Sequence, residues 1–511
     1  MALLSKAAEQ QFGAGIWPDS GNDTAPMIID SNNVCYQNGR IGPIPQSVPF
    51  YNGDKQIDVI WTQNIDGIDN IFFVVSQEIR QIAGNVLTSL SFLTNRRKPQ
   101  FATFGNFTLV ADGGKLLVRR GASANFERIE TAPLADFVIV YSPFAIVFHD
   151  RTASWCHIDD VDTWEPAAEN AARSLPIRDM DSDIVAVLKA LNGVVVFSET
   201  KAWILNFLGF PNWFGVRKLD VVVGPFSQQS VCLVDAFICG VGPTGIWRTD
   251  GNAVQFFDRP QLRKDFYRKL GTTSEVLCLY DRSNERIMIV FDDKEGVRSS
   301  IVWDNRYLNW YPTSNAYTSV DEGQATTDTI FGDGRGRLLS QNQRTVGAGS
   351  TNNSDGLRFK STIFITYCFG AQPFSGPFGR QINSSKDVKI SHALLVIRLG
   401  QQFLPAPSGD EDIFFETRDM DFGTLDEKYV DVITFNVTRP GAGIFYFSYC
   451  MKDRMEDEEI WSKEFAQSPD NPFFLRETAR YFRYKVRNSS ATRDWQLTAI
   501  NTFGEVVGGR M

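Results

Sequence analysis

A recurring hairpin constrains this chain more than anything else in it. Between residues 184 and 312 one pattern occurs three times: an apolar strand, a reversal rich in Gly, Asp, Glu or Thr, and a returning strand marked by tryptophan. The first copy is 194–197 (Val-Val-Val-Phe), returning through 202–205 with Trp203. The second is 236–240, returning through 245–248 with Trp247. The third is 286–291, returning through 300–303 and ending on Trp303. A single hairpin cannot bury its own faces, so copies repeated every few tens of residues must stack on each other. That period points to a propeller or a solenoid.

Weaker copies extend the series. Residues 70–75 return as 79–82, and 107–111 turn at Asp112-Gly113-Gly114 and return as 115–118. Residues 144–148 return through Trp155, and 329–331 turn at Gly332-Asp333-Gly334-Arg335-Gly336 and return as 337–339. With Ile82, Leu117, Trp155, Trp203, Trp247, Trp303 and Leu338 as markers of the returning strand, the spacing is roughly 35–56 residues, the range of propeller blades. Seven markers give about seven blades. Outer strands are expected at 216–223, 254–257 and 310–311. Between two blades, Leu262, Phe266 and Leu270 fall at helical spacing, with Arg263, Lys264, Arg268 and Lys269 elsewhere around the helix. This predicts a short helix over 259–270 whose basic residues form a solvated face or, alternatively, meet an acidic partner or phosphate.

The flanks differ in texture. Residues 1–56 read as an N-terminal arm: a short helix over 2–11, then extended chain with Pro18, Pro26, Pro43, Pro45 and Pro49, and a hairpin over 33–41 turned at Asn38-Gly39. Such an arm has no core of its own and must pack on a later domain or on a neighbouring subunit. Residues 57–345 form the propeller. A Gln-, Asn-, Ser- and Gly-rich stretch, 346–358, reads as a linker. Residues 359–511 alternate apolar and polar positions in long strands (361–367, 387–399, 413–417, 429–437, 443–449, 481–486 and 495–500), the pattern of an antiparallel β-sandwich. The expected fold is therefore all-β: a propeller, a C-terminal sandwich and an extended N-terminal arm.

Composition narrows the function. Phe and Gly each number 40 among 511 residues, which suits strands joined by tight turns. A net charge of −9 and a pI near 5.1 exclude a dedicated nucleic-acid binder with a basic stripe. They permit a wall past which DNA slides, because a negative surface repels phosphate. Seven cysteines are scattered, several inside apolar strands, as expected of small buried hydrophobes rather than a disulfide frame. The N-terminus shows no signal-peptide pattern, and no run reaches membrane-spanning length, so a soluble protein folded in cytoplasm, without a membrane anchor, is expected.

No catalytic constellation emerges. The three histidines, His149, His157 and His392, are not grouped with cysteines at metal-ligand spacing, and packing or hydrogen bonding accounts for them. There is no P-loop, nucleophile elbow or zinc-protease helix. The glycine-rich stretch 332–336 reads as a hairpin turn, since no helix follows on which a phosphate could sit. Neither a catalytic residue, nor a cofactor, nor a metal is expected. The alternative is a propeller that cleaves glycans with paired carboxylates in a central cleft, in the manner of glycosidases or sialidases. Asp150, Asp159, Asp160, Asp162, Glu199 and Asp304 are candidate acids, but acids of this kind favour hairpin turns for backbone reasons, and repeated Asp-box turns do not occur at equivalent places.

Four ordered features carry a family resemblance. They are the arm segment 33–43 (Asn-Val through Gly-Arg-Ile-Gly-Pro); residues 193–206 (Gly-Val-Val-Val-Phe-Ser-Glu-Thr-Lys-Ala-Trp-Ile-Leu-Asn) with the strand 221–224 (Val-Val-Val-Gly); the blade from Trp303 to Trp310; and the closing pair 480–486 with 495–497 (Trp-Gln-Leu). In these the chain resembles the tail hub, nozzle or packaged-DNA stabilisation proteins of short-tailed bacteriophages, the head-to-tail connector family. The resemblance implies a structural virion protein: a homohexameric ring below the portal and its adaptor. Such a ring continues the DNA channel, helps retain packaged DNA until ejection and anchors fibres, spikes or a needle. Double-stranded DNA would pass through it transiently and without specificity, and the ring would be assembled in the host bacterial cytoplasm.

Overall fold

The computed structural model describes residues 2–7, 28–37, 40–44, 47–65, 67–83, 86–93, 97–121, 125–219, 223–322, 328–340, 413–422, 426–438, 445–468, 471–488 and 496–508. Among them the chain is almost wholly β. Seven four-stranded antiparallel sheets and two larger sheets are present, with a single α-helix, Pro260–Lys269.

The seven small sheets are the blades of a β-propeller. Their first strands are Val59–Ile65, Gln100–Phe104, Phe137–Tyr141, Ala186–Ala190, Val231–Val234, Leu277–Asp281 and Tyr317–Glu322. Each first strand pairs with the second, the second with the third and the third with the fourth. First strands lie beside one another from blade 2 round to blade 7, and that of blade 7 meets that of blade 1; blades 1 and 2 share a core of Phe72, Val74 and Ile79 with Phe101, Val110 and Leu117, so the series closes on itself. Among the described residues the buried apolar clusters fall at the junctions between blades. Phe148 and Trp155 of blade 3 pack on Val196 and Trp203 of blade 4; Phe197 and Ile204 of blade 4 pack on Ile238 and Trp247 of blade 5. A blade is thus covered on both faces. This explains why its second strand is apolar at consecutive positions, as in Gly193–Phe197, every residue of which is buried.

All seven sequence markers lie on third strands. At blade 5 the reason for tryptophan is explicit. Trp247 is fully buried and sits opposite Gly240 in register. A Cβ on Gly240 would come within 2.3 Å of the indole, so the glycine leaves the space that the ring fills. The helix lies between blades 5 and 6 as expected, with Leu262 and Phe266 buried. Its basic face is partly engaged, Arg263 with Asp258 at 2.5 Å and Arg268 with Asp265 at 3.0 Å.

The N-terminal segment departs from the expected arm. Val48–Asn52 is the fourth strand of blade 7, pairing antiparallel with Arg337–Ser340. The propeller therefore begins before residue 57, and its last blade is completed by chain from near the start. Pro49 is tolerated there because an outermost strand needs ladder hydrogen bonds on one side only. The helix expected over 2–11 is replaced in its first part by a strand, Ala2–Ala7, which pairs with Gln496–Gly508. Its Ala, Leu and Lys residues favour a helix intrinsically, but the free edge of a long strand overrides so weak a preference.

The two larger sheets form the sandwich, and the N-terminal segment enters both. One sheet runs Val34–Gln37, Arg40–Pro43, Gln496–Gly508, Glu427–Thr438, Phe473–Ala479, with Ala2–Ala7 also on Gln496–Gly508. The other runs Ile28–Asn32, Ile413–Thr417, Tyr481–Asn488, Phe445–Lys452, Phe465–Gln467. Strict alternation along Tyr481–Asn488 puts Phe482, Tyr484 and Val486 inside and Arg483, Lys485 and Arg487 on the outer face. The hairpin expected over 33–41 is present as the first two strands of the first sheet; its turn, Asn38-Gly39, is outside the described residues. So are the linker 346–358 and the expected strands at 361–367 and 387–399.

Asn33 is the joint between sheets. It stands between Ile28–Asn32 and Val34–Gln37 at φ 55°, a left-handed conformation that asparagine tolerates. Its side chain accepts from Thr313 Oγ1 at 2.7 Å and Ser314 N at 3.0 Å, and donates to Ser314 Oγ at 2.7 Å. Around this point sandwich and propeller share one core, in which Val34, Tyr36 and Phe445 are continuous with Leu277, Val290 and Tyr311 of blade 6 and Phe331 of blade 7.

Candidate functional site: the axial cavity

First strands line the axis of the ring, so their side chains and the residues just beyond them decide what the centre can hold. A cavity of about 730 Å³ lies there, lined by Trp61 and Thr62 of blade 1, Cys232 and Leu233 of blade 5, Tyr280 and Arg282 of blade 6 and Asp321 and Glu322 of blade 7, among others. It is large enough for a small molecule, and its lining is mixed polar and apolar.

Its acids come from strand ends. Arg282, one residue past the first strand of blade 6, donates to Asp235 Oδ1 at 3.2 Å and to Glu322 Oε2 at 3.1 Å. One guanidinium thus joins blades 5, 6 and 7. The hydrogen bond to Glu322 raises its already high proton affinity, so it stays charged. Tyr280 donates its hydroxyl to Asp235 Oδ2 at 2.9 Å. Burial, and then the bond to that carboxylate, push the phenol upward. Asp321 is held differently. Its Oδ2 accepts from Thr62 N and, at 2.8 Å, from Thr62 Oγ1, which ties blade 7 to blade 1. Burial dominates these bonds and pushes the carboxyl up to about 6. Asp321 can therefore take up and release a proton near neutral pH.

A second group lies at the other end of the first strands. Lys98 precedes the first strand of blade 2 and donates to Gln229 Oε1, just before that of blade 5. Burial lowers the ammonium, while Asp58 and Glu275, just before the first strands of blades 1 and 6, oppose that shift. Burial also raises the Asp58 carboxyl.

The acids weighed in the sequence do not meet at this cavity. Asp150 and Asp159 adopt positive φ in turns, at 49° and 54°. Asp160 caps its own turn by accepting from Asp162 N at 2.9 Å and Thr163 Oγ1 at 2.7 Å. Asp162 pairs with Arg120 at 2.5 Å. Glu199 occupies the turn after the second strand of blade 4. Asp304 forms a buried pair with Arg286 at 3.1 Å. The cavity acids were missed because nothing in their immediate sequence sets them apart. Their signal is positional, each standing at or just past the end of a first strand, and it becomes visible only once strand order is known.

The histidines behave as hydrogen-bonding groups. His157 Nδ1 accepts from Ala171 N at 3.0 Å. His149 Nδ1 lies 2.9 Å from Asp136 Oδ2, and Asp150 is 3.5 Å from its Nε2. These three side chains are spaced to hold a metal ion, but Arg97 already sits 2.6 Å from Asp136 Oδ1, and its charge opposes a cation there. His392 is outside the described residues. The turn at 332–336 is held by Asp333, whose Oδ1 accepts from Arg335 N at 3.0 Å and Arg337 N at 2.8 Å. No helix among the described residues is long and apolar enough to cross a membrane.

No family model and no curated protein matches this chain. Many solved structures are similar to part of it, among them two bacterial proteins. PorZ, a surface component of the type-IX secretion system of Porphyromonas gingivalis, is 8% identical with a TM-score of 0.37, over 57% of this chain and 37% of that one. The extracellular domain of a putative one-component system from B. thetaiotaomicron is 10% identical with a TM-score of 0.40, over 58% of this chain and 40% of that one. The chain spans less than half the length of each.

Proposed function

We propose that this chain is a structural subunit of the tail of a short-tailed bacteriophage, a nozzle or hub protein that assembles into a homohexameric ring. The ring continues the DNA channel below the portal and adaptor and offers docking surfaces for fibres or spikes. Its acidic balance suits a conduit that DNA crosses without sticking.

The observation that carries the assembling role is a pair of complementary patches. At the tip of the outer hairpin of blade 4, Phe207, Leu208 and Phe210 are 43%, 62% and 83% exposed, and Leu191 in the neighbouring turn is 75% exposed. That sheet bears Lys189, Lys201, Arg217 and Lys218 against one acid, Glu199. In the sandwich, Met455 and Ile460 are 59% and 73% exposed, on a loop that also carries Asp453, Glu456, Asp457, Glu458 and Glu459. The sandwich is attached at blades 6 and 7, two to three blades from blade 4. An exposed apolar tip on a net-basic blade and an apolar-acidic patch at separate places suit a head-to-tail contact between copies, which closes into a ring when the rotation is right. The resemblance of the segments quoted above supplies the kind of ring.

Native mass measurement and particle images test this. Closed rings of about six 57.5 kDa copies are expected, and Phe210→Asp should leave monomers. A wild-type protein that stays monomeric with its adaptor present would overturn the reading.

A second reading rests on the axial cavity. Asp235, Asp321 and Glu322 face one space, and Asp321 has the raised proton affinity of a general acid. A glycan-cleaving propeller would lose its activity in Asp321→Asn and in Glu322→Gln. An absence of hydrolysis across a panel of bacterial surface glycans would remove this alternative.

A further inference from the structure

Two of the cysteines that read as inert core residues face each other across the axial cavity wall. Cys232 lies on the first strand of blade 5 and Cys278 on the first strand of blade 6, and their sulfurs are 3.2 Å apart. Both line the cavity. Cys232 is partly exposed, whereas the other described cysteines, Cys35, Cys156, Cys239, Cys278 and Cys450, are buried; Cys232, Cys239 and Cys278 carry thiols. Cys239 is the cross-strand neighbour of Cys232 within blade 5, so Cys232 has a choice of partner within its own blade or across the junction.

We propose that Cys232 and Cys278 form a latent disulfide, closed by oxidation through the axial cavity, that staples the inner strands of blades 5 and 6. A disulfide needs sulfurs about 2.05 Å apart, so closure asks for a movement of roughly 1 Å between strands that are already neighbours. Leu233, on the same cavity wall, is 43% exposed, and the Arg282 side chain is 59% exposed, so the space communicates with solvent and admits a small peroxide. In the first step the Cys232 thiolate attacks one oxygen of hydrogen peroxide; the O–O bond breaks, hydroxide leaves and Cys232 becomes a sulfenic acid. In the second step the Cys278 thiolate attacks that sulfur and expels hydroxide. The two thiols lose two electrons and two protons, and peroxide is reduced to two waters.

The surroundings set the pace. Burial holds the Cys232 thiol well above its ordinary range, so little thiolate exists at neutral pH. The reaction is accordingly slow there and accelerates as pH rises, without levelling off by about pH 9. A chain made in a reducing cell therefore keeps these thiols free, and one moved to an oxidising medium closes them over time.

The test uses the full chain, purified with reductant, treated with hydrogen peroxide, quenched with an alkylating reagent, digested and mapped by mass spectrometry. The expected product is a peptide pair linked through Cys232 and Cys278, about 2 Da lighter than the two thiol peptides together. The oxidised protein should melt several degrees above the reduced one, because the link closes a loop of some 46 residues in the unfolded chain. Cys278→Ser should abolish the link and the gain in Tm and, with Cys239→Ser added to remove the other partner, leave Cys232 as a trappable sulfenic acid, while Cys239→Ser alone should keep the link and the gain. If Cys232 links to Cys239, or if Cys232 and Cys278 remain alkylatable after oxidation, the proposal is wrong. Should Cys278→Ser fold poorly, the peptide map and the redox difference in Tm of the wild-type protein decide the matter.

Discussion

Trp247 occupies the space where a side chain on Gly240 would go, with Phe197 of the next blade 5.2 Å from the indole. A methyl at position 240 has to push aside a large ring wedged between two blades. Gly240→Ala should therefore cost about 1–3 kcal/mol, read as a shift in the urea midpoint at unchanged slope. Asp321 makes a second prediction at this scale. Its folded carboxyl, at about 6, lies above its unfolded value, so the native state binds the proton more tightly than the unfolded chain does. Protonation then favours folding. The benefit is full below about pH 4 and is lost as pH rises through 6, which leaves a cost on the order of 2–3 kcal/mol at neutral pH. Asp321→Asn keeps an oxygen to accept from Thr62 but cannot ionise. The variant should gain on the wild type between pH 4.5 and 7.5 in paired unfolding curves; a gap that does not change with pH would contradict this account.

At the scale of elements, the decisive piece is Val48–Asn52. It completes blade 7 and so joins the start of the chain to its seventh repeat. Tyr51 anchors it: the ring sits 5.2 Å from Phe73 of blade 1, and its hydroxyl accepts from Arg80 Nη1 at 3.0 Å. Tyr51→Ala removes contacts to two blades at once. A loss of about 2 kcal/mol is expected, together with faster amide exchange along Arg337–Ser340, whose ladder this strand completes. Exchange that quickens only in the sandwich would show that the strand does not hold the ring. Asn33 works in the same way between domains, turning the chain from one sandwich sheet to the other while bonding the end of blade 6.

For the molecule as a whole, the proposed ring joins the apolar tip of net-basic blade 4 to an apolar-acidic loop. Opposite charges steer and register such a contact and are screened by salt. Raising the salt from about 0.05 to 0.5 M should shift assembly to higher protein concentration, as measured by light scattering. Glu456→Lys with Glu458→Lys should weaken assembly in low salt more than in high salt. Equal weakening at both would mean that these charges do not lie at the contact.

The blades were legible because their cause is local. A strand covered on both faces must be apolar at successive positions, a tight reversal needs Gly, Asp or Asn, and Trp203 or Trp247 fills a junction between blades; each demand leaves its mark within a few residues. The alternation that makes Tyr481–Asn488 a sandwich strand is equally local. What tertiary structure alone decided is pairing across the length of the chain. Val48–Asn52 meets Arg337–Ser340, Ala2–Ala7 becomes a strand on Gln496–Gly508, and Cys232 finds Cys278. Asp235, Asp321 and Glu322 share one space only because the ring brings strand ends together. A free sheet edge accepts any extended segment that reaches it, so the choice of partner rests on the closure of the whole fold and leaves no pattern at the position itself.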